Sequence, residues 1–482
     1  MSVTPFTTFA PTQDFSSPVS FVDEFHSIFM DRYTLLCPLL RDRVTAEWGE
    51  DVLVLDQIHE CAEPQYKNQP KDLVLIGVVA KQFSLKKTVI DTYASLDAFE
   101  LPRLLEGKYY QTSDVVTLCD PQSIIVLHSH EEGEAQEVKM ETEEGEEGVD
   151  LHEMPCGVVV ALRGRVTSDS AFLVQDTLYP RPLPTPSATP APPSLSLPVE
   201  DGTAPSPLLL CLNHISLASA LPPPLTMLSN IVTGVAPCPE ALRPLLSRVQ
   251  ATVLMGGMLA PPEESETGRQ ALSEADVSRA VTFAGLVAPV EALDSLLANL
   301  TGNLPVLALP STEDPVPRGL PQPAINRVLL PSASRFGNMH LGTNPCTAEV
   351  ACAPLSLSSR VTFIGEEVVA DIAGQTPLTP MQALCRLASF CHLAPTAPDT
   401  LDMFPAPADN LCLCKGADDE PVLPSLLVAP SGDPKVTVGE RQTVMVGDHE
   451  MTCVIVPSYK GTGCVSLLDP FSGQVHTLKI GM

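Results

Sequence analysis

Apolar positions change their spacing several times along the chain, and the changes mark its parts. From Ser17 to Gly49 the residues Phe21, Phe25, Ile28, Phe29, Leu36, Leu39, Leu40 and Val44 recur every three or four positions, the spacing of an amphipathic helix. Pro38 lacks the backbone donor that a helix interior needs and predicts a break, and Gly49 offers a C-terminal cap. The period then shortens. Asp51–Ile58, Asp72–Ala80, Ser123–Leu127, Gly157–Val166 and Ala171–Asp176 are short apolar or alternating runs rich in Val, Ile and Leu, which predict strands of a small barrel. Beyond Leu208 the two patterns alternate. Leu208–Leu212, Ala251–Met255, Pro305–Leu309, Val361–Ile364, Asn410–Leu413, Thr443–Val446 and Thr452–Val456 read as buried strands, and Ser273–Ala284, Val290–Leu300 and Met381–His392 as helices. This alternation predicts a layered α/β domain.

Two stretches have no apolar period. Glu131–Glu153 is crowded with acids and predicts a solvated surface insertion. Pro180–Pro207 repeats Pro with Ser, Thr and Ala, a composition that stays extended because proline fixes φ and removes donors. The expected organisation is a helical arm over 1–49, a barrel domain over 50–179 with the acidic insertion near 131–153, a Pro-rich linker over 180–207, and an α/β domain over 208–482. The 482 residues exceed the roughly 250–300 at which one core stops growing, which agrees with more than one domain.

Charge narrows the function classes. A formal net charge of -30 opposes the attraction that drives phosphate-backbone binding, so this chain is not expected to grip DNA alone. The 14 cysteines are scattered, contain no Cys-x-x-Cys pair, and show in Cys412-Leu-Cys414 only half of a zinc-ribbon spacing. With no charged-then-apolar leader at Met1–Ala10, they read as reduced, buried thiols of a cytosolic or nuclear protein. The most apolar stretch, Pro207–Met227, is broken by Asn213, His214 and Pro222–Pro224 and is not a membrane span.

Several segments carry a family resemblance: Phe25-His-Ser-Ile-Phe-Met-Asp-Arg-Tyr33 with Trp48-Gly49, Gly157–Val166 followed by Phe172-Leu-Val-Gln-Asp176, and Thr343-Asn-Pro345. Val361-Thr-Phe-Ile-Gly365 with Asp371-Ile372 and the run His392-Leu-Ala-Pro-Thr-Ala-Pro-Asp-Thr-Leu401 complete the set. In order and approximate spacing they resemble the small, B-type subunit family of DNA polymerase delta over most of the chain. The resemblance implies an OB-fold followed by an inactive calcineurin-like phosphoesterase domain, with no cofactor. It also implies a nuclear, non-catalytic subunit for DNA replication and repair. Its partners would be the cysteine-rich C-terminal module of the catalytic subunit and a third subunit extending towards the sliding clamp. DNA would be reached only indirectly, and polymerase zeta is a second complex that the subunit would serve.

Active members of the wider phosphoesterase superfamily hold two metals at four stations, because hard carboxylate and imidazole donors must converge to orient water at a phosphoryl group. In Cys211-Leu-Asn-His-Ile-Ser216, Asn213 and Ile215 stand where Asp and His are needed; His214 is one residue off and would face the other way if the strand continued. Gly257 takes the place of the bridging carboxylate in Met255-Gly-Gly-Met-Leu259. In Leu309-Pro-Ser-Thr-Glu-Asp-Pro315, Ser311 and Thr312 replace Gly-Asn, and only Asp314 keeps its type. The late station at Leu413-Cys-Lys-Gly-Ala417 has no histidine and puts Cys414 there instead. No catalytic residue and no metal are therefore expected.

Gly447-Asp-His-Glu450 reads as a polar hairpin turn and Gly337-Asn-Met-His340 as a loop rather than as ligand sets. Pro395, Thr396, Ala397, Pro398, Asp399 and Thr400 form a candidate structural turn in which the prolines restrict the backbone and Thr and Asp cap amides; partner contact and a ligand role for His392 rank below. Phosphate loops, nucleophile elbows and His-Glu-x-x-His helices are missing from the sequence. Three alternatives stay open: a metal-dependent phosphodiesterase or nuclease, a single-strand-binding OB protein, and the small subunit of polymerase alpha, epsilon or zeta. The missing carboxylates weigh against the first, and the scarcity of aromatic and basic residues in the barrel strands against the second.

Overall fold

Runs of Val, Ile and Leu form strands here, and the unbroken runs form strands buried on both faces. The computed structural model describes residues 6, 8–15, 24–50, 52–66, 72–85, 107–129, 149–181, 205–218, 220–260, 281–413, 423–447 and 449–480. The chain divides into two units. One is Met1–Ser17, Pro186–Glu367 and Leu423–Met482; the other is Pro18–Thr185 and Val368–Val422. Both boundaries differ from the domains read along the sequence, since residues before Ser17 leave the helical arm and residues 368–422 leave the α/β domain. The Pro-rich residues 182–204 and the acidic residues 130–148 lie outside the described residues, as do predicted-helix residues 273–280.

In the second unit, β3 (Leu73–Gln82), β4 (Val115–Cys119), β5 (Ile124–His128), β7 (Phe172–Leu178) and β6 (Val159–Val166) neighbour one another in that order, and β6 returns to β3. Among these five strands all neighbours are antiparallel except β5 and β7. Five strands closed in this way are an OB-fold barrel. Its interior holds Leu75, Val79, Leu118, Leu127, Val160, Leu162 and Phe172. The expected strand Asp51–Ile58 shrinks to β2 (Leu53–Val54) beside β3 and runs into a 3-10 turn at Ile58–Ala62. Helix α1 (Phe25–Trp48) continues through Pro38 without the expected break, and Gly49 ends it with φ at 90°. It buries Leu36, Leu40 and Val44 against Val74, Ile76, Val159 and Ala161 of the barrel wall.

The first unit is a two-sheet sandwich with helices on one side. One sheet has the order β11 (Met339–Leu341), β10 (Val306–Leu309), β9 (Val249–Met255), β8 (Leu208–Leu212), β17 (Cys464–Leu468), β18 (Val475–Lys479). The other has β1 (Thr8–Asp14), β12 (Cys346–Cys352), β13 (Leu357–Phe363), β14 (Leu426–Pro430), β16 (His449–Val456), β15 (Glu440–Val446). Leu209, Val253, Val350, Phe363, Val428 and Val454 interleave between the sheets. Helices α2 (Pro223–Val232) and α3 (Val281–Thr301) bury Leu225, Leu228, Leu293, Leu296, Leu297 and Leu300 against Leu208, Leu210, Leu254 and Val306. Val446 pairs with His449 at one end of the antiparallel β15–β16 pair, so His449 and Glu450 belong to β16, and His340 sits on β11 rather than in a loop.

Strands β8 to β11 are mutually parallel, as are β13, β14 and β16. In such sheets the loops leaving the carboxyl ends of the strands form the natural crevice. The chain leaves this unit inside helix α4 (Glu366–Gln375), between Glu367 and Val368. Helix α5 (Pro380–Phe390) follows, started by a capping box of Thr379 and Gln382. The expected strand Asn410–Leu413 is a turn held by one bridge, His392 to Cys412. Among the described residues no helix is long and apolar enough to cross a membrane.

Candidate functional site

The crevice begins where β8 ends. The strand stops at Leu212, and the backbone turns left-handed at His214 with φ at 48°. Asn213 donates its side-chain amide to the Ser431 carbonyl at 3.2 Å, while its main-chain carbonyl accepts the Tyr459 amide at 2.8 Å. Ile215 joins the apolar core with Leu212, Leu217 and Met258. The strand therefore does not continue as expected, and the left-handed turn aims His214 into the crevice instead of away from it. Its Nε2 lies 3.2 Å from Glu313 Oε2, and its Nδ1 lies 3.4 Å from Glu366 Oε2. The second approach is close enough for charge pairing but out of line for a hydrogen bond. Burial disfavours a charged ring, yet Glu313 and Glu366 outweigh it and push the His214 pKa up to about 10. The same contact holds the Glu313 carboxyl below its usual range.

Gly257 has φ at 56°, and a β carbon placed there would lie 2.6 Å from His214 Cγ and 2.7 Å from Nε2. A carboxylate at this station would have to displace the imidazole. Asp314, the one station residue that keeps its type, is directed elsewhere. One oxygen accepts the amides of Met258 at 2.9 Å and Leu259 at 3.3 Å; the other accepts the Ser311 amide at 2.9 Å and its hydroxyl at 3.2 Å. Burial raises the Asp314 carboxyl even against these donors. Asp314 thus staples the loop after β9 to the turn after β10. Thr312 lies half-buried in that turn, and Cys414 lies outside the described residues.

A second polar group in the crevice was not read from the sequence. Asn344 donates to Gln322 Oε1 at 2.8 Å and to Glu367 Oε1 at 2.5 Å, and its own oxygen accepts the Gly365 amide at 2.7 Å. Burial and the neighbouring Glu366 charge push the Glu367 carboxyl up to about 7. The blocks Thr343-Asn-Pro345 and Val361–Gly365 therefore meet in space, which gives a physical reason for two motifs that the sequence shows only as separate runs.

In the barrel unit the Pro395–Thr400 turn is gripped by a side chain of helix α1. Arg32 of α1 donates to the carbonyls of Pro395 at 2.7 Å, Ala397 at 2.9 Å and Gly157 at 3.2 Å, and pairs with Asp409 at 2.7 Å. Gly157 is required there, because a β carbon would run into the Pro395 carbonyl. Thr400 donates to Asp371 at 2.6 Å, whereas Asp399 is exposed. His392, Asp409 and Cys412 bring three ligand types together. They do not fit a metal: His392 Nδ1 accepts the Ala394 amide at 3.0 Å, its Nε2 meets Asp409 at 2.9 Å, and Arg32 already neutralises that carboxylate.

A family model for the OB-fold domain of the DNA polymerase delta subunit matches residues 24–177, and one for the B-type subunit of DNA polymerases alpha and epsilon matches residues 212–437. DNA polymerase delta small subunits of Arabidopsis thaliana and Oryza sativa subsp. japonica are each 25% identical, over 70% of this chain and 67% and 68% of their own. DNA polymerase delta subunit 2 of Drosophila melanogaster is 30% identical over 120 residues, 25% of this chain and 26% of its own. The chain belongs to the DNA polymerase delta small-subunit family. Helix α1 is part of the OB-fold match and packs on the barrel, so the arm expected at 1–49 is mainly a wall of that domain. Arg32 carried a readable signal: it occupies the fourth-residue spacing of Ile28, Leu36, Leu40 and Val44, a buried stripe in which a charge demands a partner.

Proposed function

We propose that the chain acts as a non-catalytic scaffold in nuclear DNA polymerase delta, bridging the cysteine-rich C-terminal module of the catalytic subunit and a third, clamp-binding subunit. Its second domain is a phosphoesterase fold without phosphoesterase chemistry. The observation that carries this reading is Asp314: the one surviving station carboxylate has both oxygens occupied by loop donors, and Gly257 offers no bridging partner. Tethering partners on one chain raises their effective concentration without chemistry.

The barrel favours protein over single-stranded nucleic acid. Outward positions on β4 and β5 are Val115, Thr117 and Cys119, then Ile124, Val126 and His128, with Ile124 69% exposed. Single-strand binding needs stacking rings and cations along the groove, and these strands supply aliphatic surface. Sliding clamp and DNA are then reached through the partners, and the same surfaces would serve polymerase zeta.

Co-expression with the catalytic subunit's C-terminal module tests the reading. A stoichiometric complex with no manganese-dependent phosphodiesterase activity is expected, unchanged in Asp314→Asn if that variant remains folded. Hydrolysis that disappears in Asp314→Asn, or a chain that stays unassociated, would overturn it.

A further inference from the structure

At the carboxyl ends of the parallel strands, Glu313 and Glu366 face one another across a gap, and the gap is filled by the ring of His214. Three independent features converge on that ring. Its two nitrogens each approach a different carboxylate, and the side chain is 8% exposed. The backbone at His214 takes the left-handed conformation that non-glycine residues avoid, held there by its amide on the Gly256 carbonyl at 3.2 Å and its carbonyl under the Lys460 amide at 2.9 Å. Across the ring, the chain has no side chain at Gly257, where any β carbon would enter the imidazole.

We propose that this crevice is a cation-binding site whose ligand is supplied from within: His214 is a tethered imidazolium that takes the position between the two carboxylates and joins the loops after β8 and β10 to the first residue of α4. The charged groups around it are Glu313, Glu366, Glu367 and, towards solvent, Lys460. The ligand class of the emptied site follows directly. With the ring removed, the crevice should accept a small, flat organic cation of imidazole size. This inference stands apart from the assembly role, since a chain that joined no polymerase would still hold the site.

His214→Gly in the full chain is the test, because glycine takes a φ of 48° without strain and the loss can be assigned to the ring. The variant is expected to melt below the wild type. Millimolar imidazole should return most of the loss while leaving the wild type unmoved. Pyrazole, the same size but neutral near pH 7, should return little. Rescue by pyrazole equal to that by imidazole would mean that filling space suffices, and no rescue by either would mean that no ligand site exists; both results sink the proposal. Should His214→Gly not fold, Glu313→Gln with Glu366→Gln decides instead. The proposal expects that double variant to melt lower, and an unchanged melting temperature overturns it.

Discussion

His214 in the sandwich unit and His392 in the barrel unit are both buried, and each lies within 3.2 Å of a carboxylate, yet their surroundings push their pKa values in opposite directions. His214 meets two carboxylates, and its pKa rises to about 10 in spite of burial. His392 shares one carboxylate, Asp409, with the Arg32 guanidinium; burial and that fixed positive charge push its pKa down, against the pull of Asp409. The Ala394 amide donating to Nδ1 selects the same neutral form. Although burial favours the neutral acid, His392 and Arg32 hold the Asp409 carboxyl well below the usual carboxylate range. A carboxylate beside a buried histidine therefore does not set its charge. The sum of the neighbouring charges does.

Removing the guanidinium should break the contrast most severely. Arg32→Met leaves Asp409 buried without its cation and three carbonyls without a donor, and is expected to cost about 3–5 kcal/mol by denaturant unfolding. A loss under about 1 kcal/mol would show that His392 can take over the charge alone.

The pH dependence sharpens the comparison by sign. His214 has a raised folded pKa, so its contribution is full below the unfolded value near 6.5 and is lost as pH rises through about 10. His214→Gln should therefore be less stable than the wild type by about 2 kcal/mol at pH 6, with the gap closing by pH 10.5. His392 has a lowered folded pKa, so its contribution is present above about 6.5 and is lost as pH falls. Melting temperature of the wild type should drop from pH 7 to pH 5 more steeply than that of His392→Gln. Parallel pH profiles for both histidine variants would refute the assignment.

Smaller effects separate the turn residues. Thr400→Ala gives up the bond to Asp371 and should cost about 1 kcal/mol. Asp399→Ala, at an exposed position, should change stability by less than about 0.5 kcal/mol and leave subunit association intact. A large Asp399 effect would transfer the role of the turn from Arg32 back to self-capping.

Local order was legible wherever one residue type dominated a run. Leu208–Leu212, Val249–Met255 and Val159–Val166 form strands because consecutive apolar residues have no solvated face to offer. Seven strands lie outside that reading: β1 carries a proline, β4, β11, β12 and β18 are short or mix polar with apolar residues, and β14 and β17 are five-residue apolar runs too brief to show a period. The helix through Pro38 survived because packing of its neighbours Leu36, Cys37 and Leu40 outweighs one absent donor.

What the sequence determined by itself was the barrel and α/β classes of the two halves, the family blocks, and the absence of metal-binding side chains at Asn213, Ile215 and Gly257. Those are statements about residue type, which needs no coordinates. Only the tertiary structure decided that His214 faces inward, that Asp314 serves loop amides, and that residues 368–422 return to the barrel through the Arg32 and Asp409 pair. Each depends on a contact between residues far apart in the chain, or on a single left-handed φ, and neither leaves a periodic trace along the sequence.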